Sequence, residues 1–97
     1  LQIPESFSLA QNYPNPFNPS TKIEFSVSEI ANINLEIFDI LGKNIQTVVD
    51  KSMDPGLYKF NISMDGIASG MYFYRLVAVN QSGNIIHNQM RKMILMR

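Results

Sequence analysis

Apolar and polar residues alternate along most of this chain with a period of two. Ile23, Phe25 and Val27 alternate with Lys22, Glu24 and Ser26, the pattern of a strand with one face buried and the other in water. Ile33, Leu35 and Ile37 repeat it against Asn32, Asn34 and Glu36, and Tyr58, Phe60 and Ile62 against Lys59, Asn61 and Ser63. Residues 43–49, led by Ile45, read as a returning strand, as do residues 85–96. Residues 71–79 differ, because Tyr72, Tyr74 and Leu76 fall on one side and Met71, Phe73, Val77 and Val79 on the other. A strand apolar on both faces belongs in the middle of a sheet, or where something covers its second face. No window carries an i, i+3, i+4, i+7 stripe with caps, so essentially no helix is expected.

Turn signals punctuate these segments. Asp39-Ile-Leu-Gly42 reads as a hairpin turn in which Gly42 is free to take a positive φ. At Asp54-Pro55-Gly56 the proline presets one dihedral and the glycine is expected to accept the other. Asp65-Gly66 and Ser69-Gly70 form a further cluster, and residues 80–84, with Gly83, make the last hairpin. Seven or so short strands separated in this way predict an all-β fold, an immunoglobulin-like antiparallel β-sandwich of about seven strands. The chain has no cysteine, so the sandwich has no disulfide.

Ahead of the first clear strand stands QNYPNPFNPST, residues 11–21. Each proline fixes its own φ, lacks an N–H and pushes the preceding residue toward extended geometry. Asn15 and Asn18 each precede a proline, a dipeptide that favours turn initiation. The expected result is a stiff, extended lead-in, with Tyr13 and Phe17 both docking on the end of the sandwich as a plug. Asn15, Pro16, Asn18 and Pro19 then act through folding, and Phe17→Ala costs a few kcal/mol if its ring is buried. The organisation is therefore a Pro/Asn-rich lead-in over residues 1–19, packing on a sandwich over residues 20–97, one domain in all.

Composition narrows the function. At 97 residues with 45% hydrophobic side chains the chain is an ordinary globular domain. Its formal net charge is zero, which argues against nucleic acid, whose binding needs a basic footprint. Three of its eight basic residues, Arg91, Lys92 and Arg97, lie in the last seven positions. No apolar run approaches the ~18 residues of a membrane-spanning helix. The first residue is Leu1 rather than methionine, which suggests a piece of a longer precursor.

Chemistry is hard to find. His87 is the only histidine and reads as a surface residue, since no metal-ligating partners stand at a defined spacing. Asp39, Asp50, Asp54 and Asp65 sit where side-chain bonds to backbone stabilise turns. No loop has calcium-loop spacing, and no serine sits in a G-x-S-x-G elbow. Neither a cofactor nor a metal is expected, and the chain does not read as an enzyme. Met90, Met93 and Met96 read as adaptable core filler.

Four blocks in order carry a resemblance. FSLAQNYPNPFNPSTKIEFSV, LEIFDILGKNIQTVV with its D-x-x-G hairpin, the SG-x-Y-F-Y-R-L block within residues 68–76, and the terminal Arg91-Lys-Met-Ile-Leu-Met-Arg97 together resemble the C-terminal sorting domains, type A, of the type IX (Por) secretion system. The likeness covers residues 4–97, although the family's last residue is often lysine where this chain has Arg97. It implies a domain that addresses a larger, covalently linked upstream cargo through the periplasm and across the outer membrane of a Gram-negative bacterium. The cargo is then secreted or held at the cell surface. The implied partners are the type IX translocon and a surface peptidase that removes the domain, with attachment of the cargo to surface lipopolysaccharide. The family motifs fall structurally on Asn15, Pro16, Phe17, Asn18, Pro19, Asp39, Gly42, Gly56, Tyr58, Gly70 and Tyr72.

For recognition by the translocon the expected segment is Lys92, Met93, Ile94, Leu95, Met96 and Arg97, apolar between positive charges. An edge strand with free N–H and C=O groups can be read by strand addition, with the charges steering it to an acidic entrance. On that reading, removing residues 92–97 blocks export and leaves most of the sandwich folded, and a weak homodimer through the same edge is conceivable. Two other classes remain in view. One is a structural or spacer immunoglobulin-like domain. The other is a carbohydrate-binding module using Tyr58, Tyr72 and Tyr74 as a platform.

Overall fold

The computed structural model of the protein describes residues 3–96. It contains seven strands in chain order: β1 (Ser8–Leu9), β2 (Ser20–Val27), β3 (Ala31–Phe38), β4 (Asn44–Met53), β5 (Gly56–Ser63), β6 (Gly70–Val79) and β7 (Ile85–Leu95). No helix occurs among the described residues. A three-stranded sheet has the order β1-β2-β5 and a four-stranded sheet the order β4-β3-β6-β7, with every pairing antiparallel. This is an immunoglobulin-like arrangement in which the fourth strand joins the larger sheet. The reason is local, because the short turn at 39–42 returns β4 directly against β3.

The alternating residues meet between the sheets as the pattern requires. Ile23, Phe25 and Val27 face Ile33, Leu35, Ile37 and the β6 residues Tyr74, Leu76 and Ala78, all buried. Phe25 stacks on Tyr58 and Phe60 at centroid distances of 5.5 and 5.8 Å, a geometry favourable to aromatic pairs. β6 lies in the middle of its sheet, between β3 and β7. No layer of the described residues covers its outward face, and Met71, Phe73 and Val77 on that face remain half-buried or exposed.

Two hairpins share one loop solution. Asp39 Oδ1 accepts from the N–H groups of Leu41 and Lys43, and Asn80 Oδ1 from those of Ser82 and Asn84, all at 2.9–3.0 Å. Gly42 and Gly83 close these loops at φ +84° and +86°, where a Cβ would be strained. The 54–56 segment departs from expectation. It carries the chain from one sheet to the other, and Gly56 does not take a positive φ. An added Cβ there would sit in ordinary contact, 3.6 Å from the Tyr58 ring, so nothing in the structure demands a glycine. The methionine expectation divides as well: Met93 is core, whereas Met90 and Met96 are exposed.

The register sets two poles. Val27, Gly56, Met53, Val79 and Ser8 lie at one end, where Ile3, Pro4 and Glu5 lie beside Leu57. Phe38, the 39–42 turn, Gly70 and Leu95 lie at the other. The chain thus enters at one pole, and β7 ends at the opposite one.

Candidate recognition surface

The lead-in is a strap that closes one side of the sandwich. It begins as β1, paired with β2, and continues along β2 through reciprocal bonds between Tyr13 and Lys22 at 3.0 Å. It then bends at 14–16, crosses to the other sheet and meets the end of β7. There the Phe17 N–H donates to the Ile94 carbonyl at 3.0 Å, and the Met96 N–H donates to the Phe17 carbonyl at 2.9 Å. The peptide bonds preceding Pro14, Pro16 and Pro19 are cis. Because it bonds to β2 at Tyr13 and to the end of β7 at Phe17, the segment is bent rather than extended, and its prolines bring no N–H groups that would need partners.

Side chains complete the seam. Asn15 Oδ1 accepts from the Ile94 N–H at 3.0 Å, and Gln11 Nε2 donates to the Lys92 carbonyl at 2.8 Å. Farther along β7, Gln89 exchanges bonds with both backbone groups of Leu9, and Arg91 Nε donates to the Leu9 carbonyl. His87 is half-buried, stacked on Phe7 with its Nε2 3.0 Å from Gln89 Oε1. Phe17 is 2% exposed and belongs to the core, but Tyr13 is 80% exposed, so only one of the two aromatic rings plugs the sandwich. A bonded partner at Tyr13 came from its backbone, which leaves the ring outside.

Beneath the strap lies a buried polar knot that the pattern of alternation does not announce. The Tyr74 hydroxyl donates to the Ala10 carbonyl and accepts from the Asn12 N–H, both at 2.7 Å. Asn12 Nδ2 donates to Thr21 Oγ1 and to the Pro14 carbonyl at 3.1 Å, and Thr21 Oγ1 also donates to Pro14 at 2.8 Å. Burial pushes the Tyr74 phenol up to about 12, against the opposing pull of the Asn12 N–H and the Arg91 charge. The one signal in the sequence was the tyrosine itself. A phenol on a strand apolar on both faces needs a partner for its hydroxyl.

The other motif residues sit at turns. The Tyr58 hydroxyl donates to the Asp54 carbonyl at 2.6 Å and the Tyr72 hydroxyl to the Ala68 carbonyl at 2.5 Å. Each tyrosine stands two residues after a glycine, Gly56 or Gly70, and ties down the segment entering its strand. The Pro19 carbonyl accepts from Met64 at 2.9 Å, while Asn18 is exposed. With Tyr72 and Tyr74 buried and their hydroxyls engaged, the three tyrosines form no platform for a sugar. No group of three His, Asp or Glu residues converges among the described residues.

Two expectations about the terminal strand change. β7 is an edge strand in sheet order, but the strap occupies its outer edge at Lys92, Ile94 and Met96. Strand addition there, by a partner or by a second copy, meets groups already bonded. Met93 and Leu95 are fully buried, so loss of residues 92–97 removes core as well as surface. Arg97 lies outside the described residues.

The same strap and strands carry the relationship to known proteins. The profile described as a secretion system C-terminal sorting domain matches residues 11–94, from the strap through to β7. The chain belongs to this family. A search of curated proteins found no match. A sorting domain of this kind is a type IX secretion signal, exporting a linked upstream cargo to the surface or the medium of a Gram-negative bacterium. The family is not an enzyme class. Its sorting domains act by being recognised, which directs attention to surfaces rather than cavities.

Proposed function

We propose that the domain is the export address of a cargo joined ahead of residue 3, presented to the type IX translocon at the pole where β7 ends. After passage a surface peptidase separates domain from cargo, and the cargo is released or attached to surface lipopolysaccharide. The observation that carries this reading is the family match over residues 11–94. The arrangement of the poles supports it, since a cargo joined at the Ile3 end leaves the Leu95 end unobstructed. Within residues 92–97, Lys92, Ile94 and Met96 have side chains available for contact, while Met93 and Leu95 hold the strand in the core. Arg97 extends the same basic, apolar series.

The test places the 97 residues behind a signal peptide and a fluorescent reporter. Host strains are one with the translocon and a sibling lacking it. Reporter on the surface or in the medium of the first strain alone is the expected outcome. Reporter retained in the periplasm of both, with the domain folded, would refute the address and favour the spacer or binding-module readings.

A further inference from the structure

The outward face of β6 has no reason within the fold to be apolar. β3 and β7 flank the strand, and no layer among the described residues covers it. Residues directly opposite on antiparallel strands share a face. The register sets Met71 against Ile94, Phe73 against Lys92 and Phe38, and Arg75 against Met90. Met71, Phe73, Met90 and Ile94 therefore make one apolar patch at the pole where β7 ends. Ile40, 67% exposed, stands beside it on the 39–42 turn. Hollows of about 500 and 210 Å³ open on its two sides, one toward Met71 and one toward Phe73 and Met90.

The charge around this patch has one sign to spare. Glu36 is engaged by Arg75 at 3.5 Å and by Asn44 and Thr47, and Asp39 caps its own turn. The Arg75 guanidinium lies 4.8 Å from the Phe38 ring centre. Lys92 makes no ion pair among the described residues. Asp39 keeps its charge and borders both hollows, but Lys43 on the same turn is exposed and, like Lys92, makes no ion pair among the described residues, so two unpaired ammonium groups stand here against one unpaired carboxylate. Since the strap closes the edge of β7, what that strand still offers a partner is this face.

We infer that the outer face of β6 and β7, centred on Met71, Phe73, Met90 and Ile94, is a docking face for a polypeptide segment of a partner protein. That segment presents apolar side chains flanked by carboxylates. The inference rests on the reading of the domain as an export address, and names the surface and the partner chemistry. A second copy of this chain fits poorly, because two such faces would set their unpaired Lys92 ammonium groups against one another. A bilayer fits less well than side chains, because the patch is flanked by two hollows rather than raised as a protrusion.

Three single variants in the export assay test it: Met71→Glu, Lys92→Glu and, at the opposite pole, Leu57→Glu. All three positions are exposed, and thermal melts confirm that each variant folds like the parent. Export of the first two is expected to fall by about tenfold or more through like-charge opposition and a spoiled apolar contact. Export of Leu57→Glu is expected to match the parent. Parent-like export of Met71→Glu and Lys92→Glu, or an equal loss in Leu57→Glu, overturns the inference.

A titration of the purified domain separates the face from the export reading. A synthetic peptide alternating Leu and Glu should shift the amide signals of residues 71, 73, 90 and 94, and its Leu/Lys counterpart should not. Equal effects, no effect, or displacement of those same signals by phosphatidylglycerol vesicles alone would count against it. If the parent domain is not exported at all, the address falls, and the titration alone decides the face.

Discussion

Tyr74 joins the core of the sandwich to the strap. Its ring lies fully buried in the core, and its hydroxyl holds two backbone groups of the strap, the buried Asn12 N–H and the Ala10 carbonyl. Tyr74→Phe keeps the ring, removes both bonds and leaves the buried Asn12 N–H without its acceptor, so it should destabilise the domain by about 1–3 kcal/mol in urea unfolding. The same residue sets an alkaline limit. The fold holds the phenol neutral, with its pKa raised from 10.0 to about 12. Its stabilisation is therefore complete below pH 10 and is lost as the pH rises toward 12. Unfolding measured across that range should show this loss in the parent, and Tyr74→Phe should show a correspondingly shallower decline. An identical alkaline slope in the two proteins would contradict the assignment.

At the scale of elements, the sheets are joined by a small set of repeated devices. Asp39 and Asn80 each accept two loop N–H groups through one oxygen, at loops with the same spacing to a glycine in left-handed geometry. The charge of Asp39 is therefore incidental to the turn. Asp39→Asn should be nearly neutral, whereas Asp39→Ala should cost about 1 kcal/mol for the lost acceptor, read as a shift of the urea midpoint. Equal costs would mean that the carboxylate acts through something other than these two bonds. The strap is the least regular element and the most consequential, for it turns an exposed strand edge into a closed seam. Edges left open invite pairing with other chains, and here the Pro/Asn-rich segment covers one without forming a strand beside it.

For the whole molecule, the seam makes the two ends of the sequence cooperate. Residues 92–97 contribute two core side chains and the bonding partners of Gln11, Asn15 and Phe17. A domain lacking them should show no cooperative thermal transition by circular dichroism. A truncated form melting like the parent would make the terminal strand dispensable to the fold. Loss of export on such truncation would then carry no information about recognition, which is why surface substitutions at Met71 and Lys92 are the better probe. The separation of poles belongs to this scale too, since it comes from the number and order of strands rather than from any one of them.

Much of this was legible in the residues themselves. Period-two alternation at Ile23–Phe25–Val27 and Ile33–Leu35–Ile37 requires strands with one buried face, because successive side chains on a strand point in opposite directions. Asp39 and Gly42 announce their turn through local bonding and positive φ, and the four ordered blocks announce the family. Other features depend on contacts between residues far apart in the chain. Nothing near Tyr13 or Phe17 says which ring is buried, since the answer depends on where β7 passes. Tyr74 and Asn12 meet across 62 positions, and the edge of β7 is closed only because residues 11–17 happen to reach it. Local sequence decides the dihedrals and the side of each strand that turns inward, because those are near-neighbour effects. Which edges stay open, and which apolar face is left uncovered, is decided by the packing of the two sheets and the path of the strap between them.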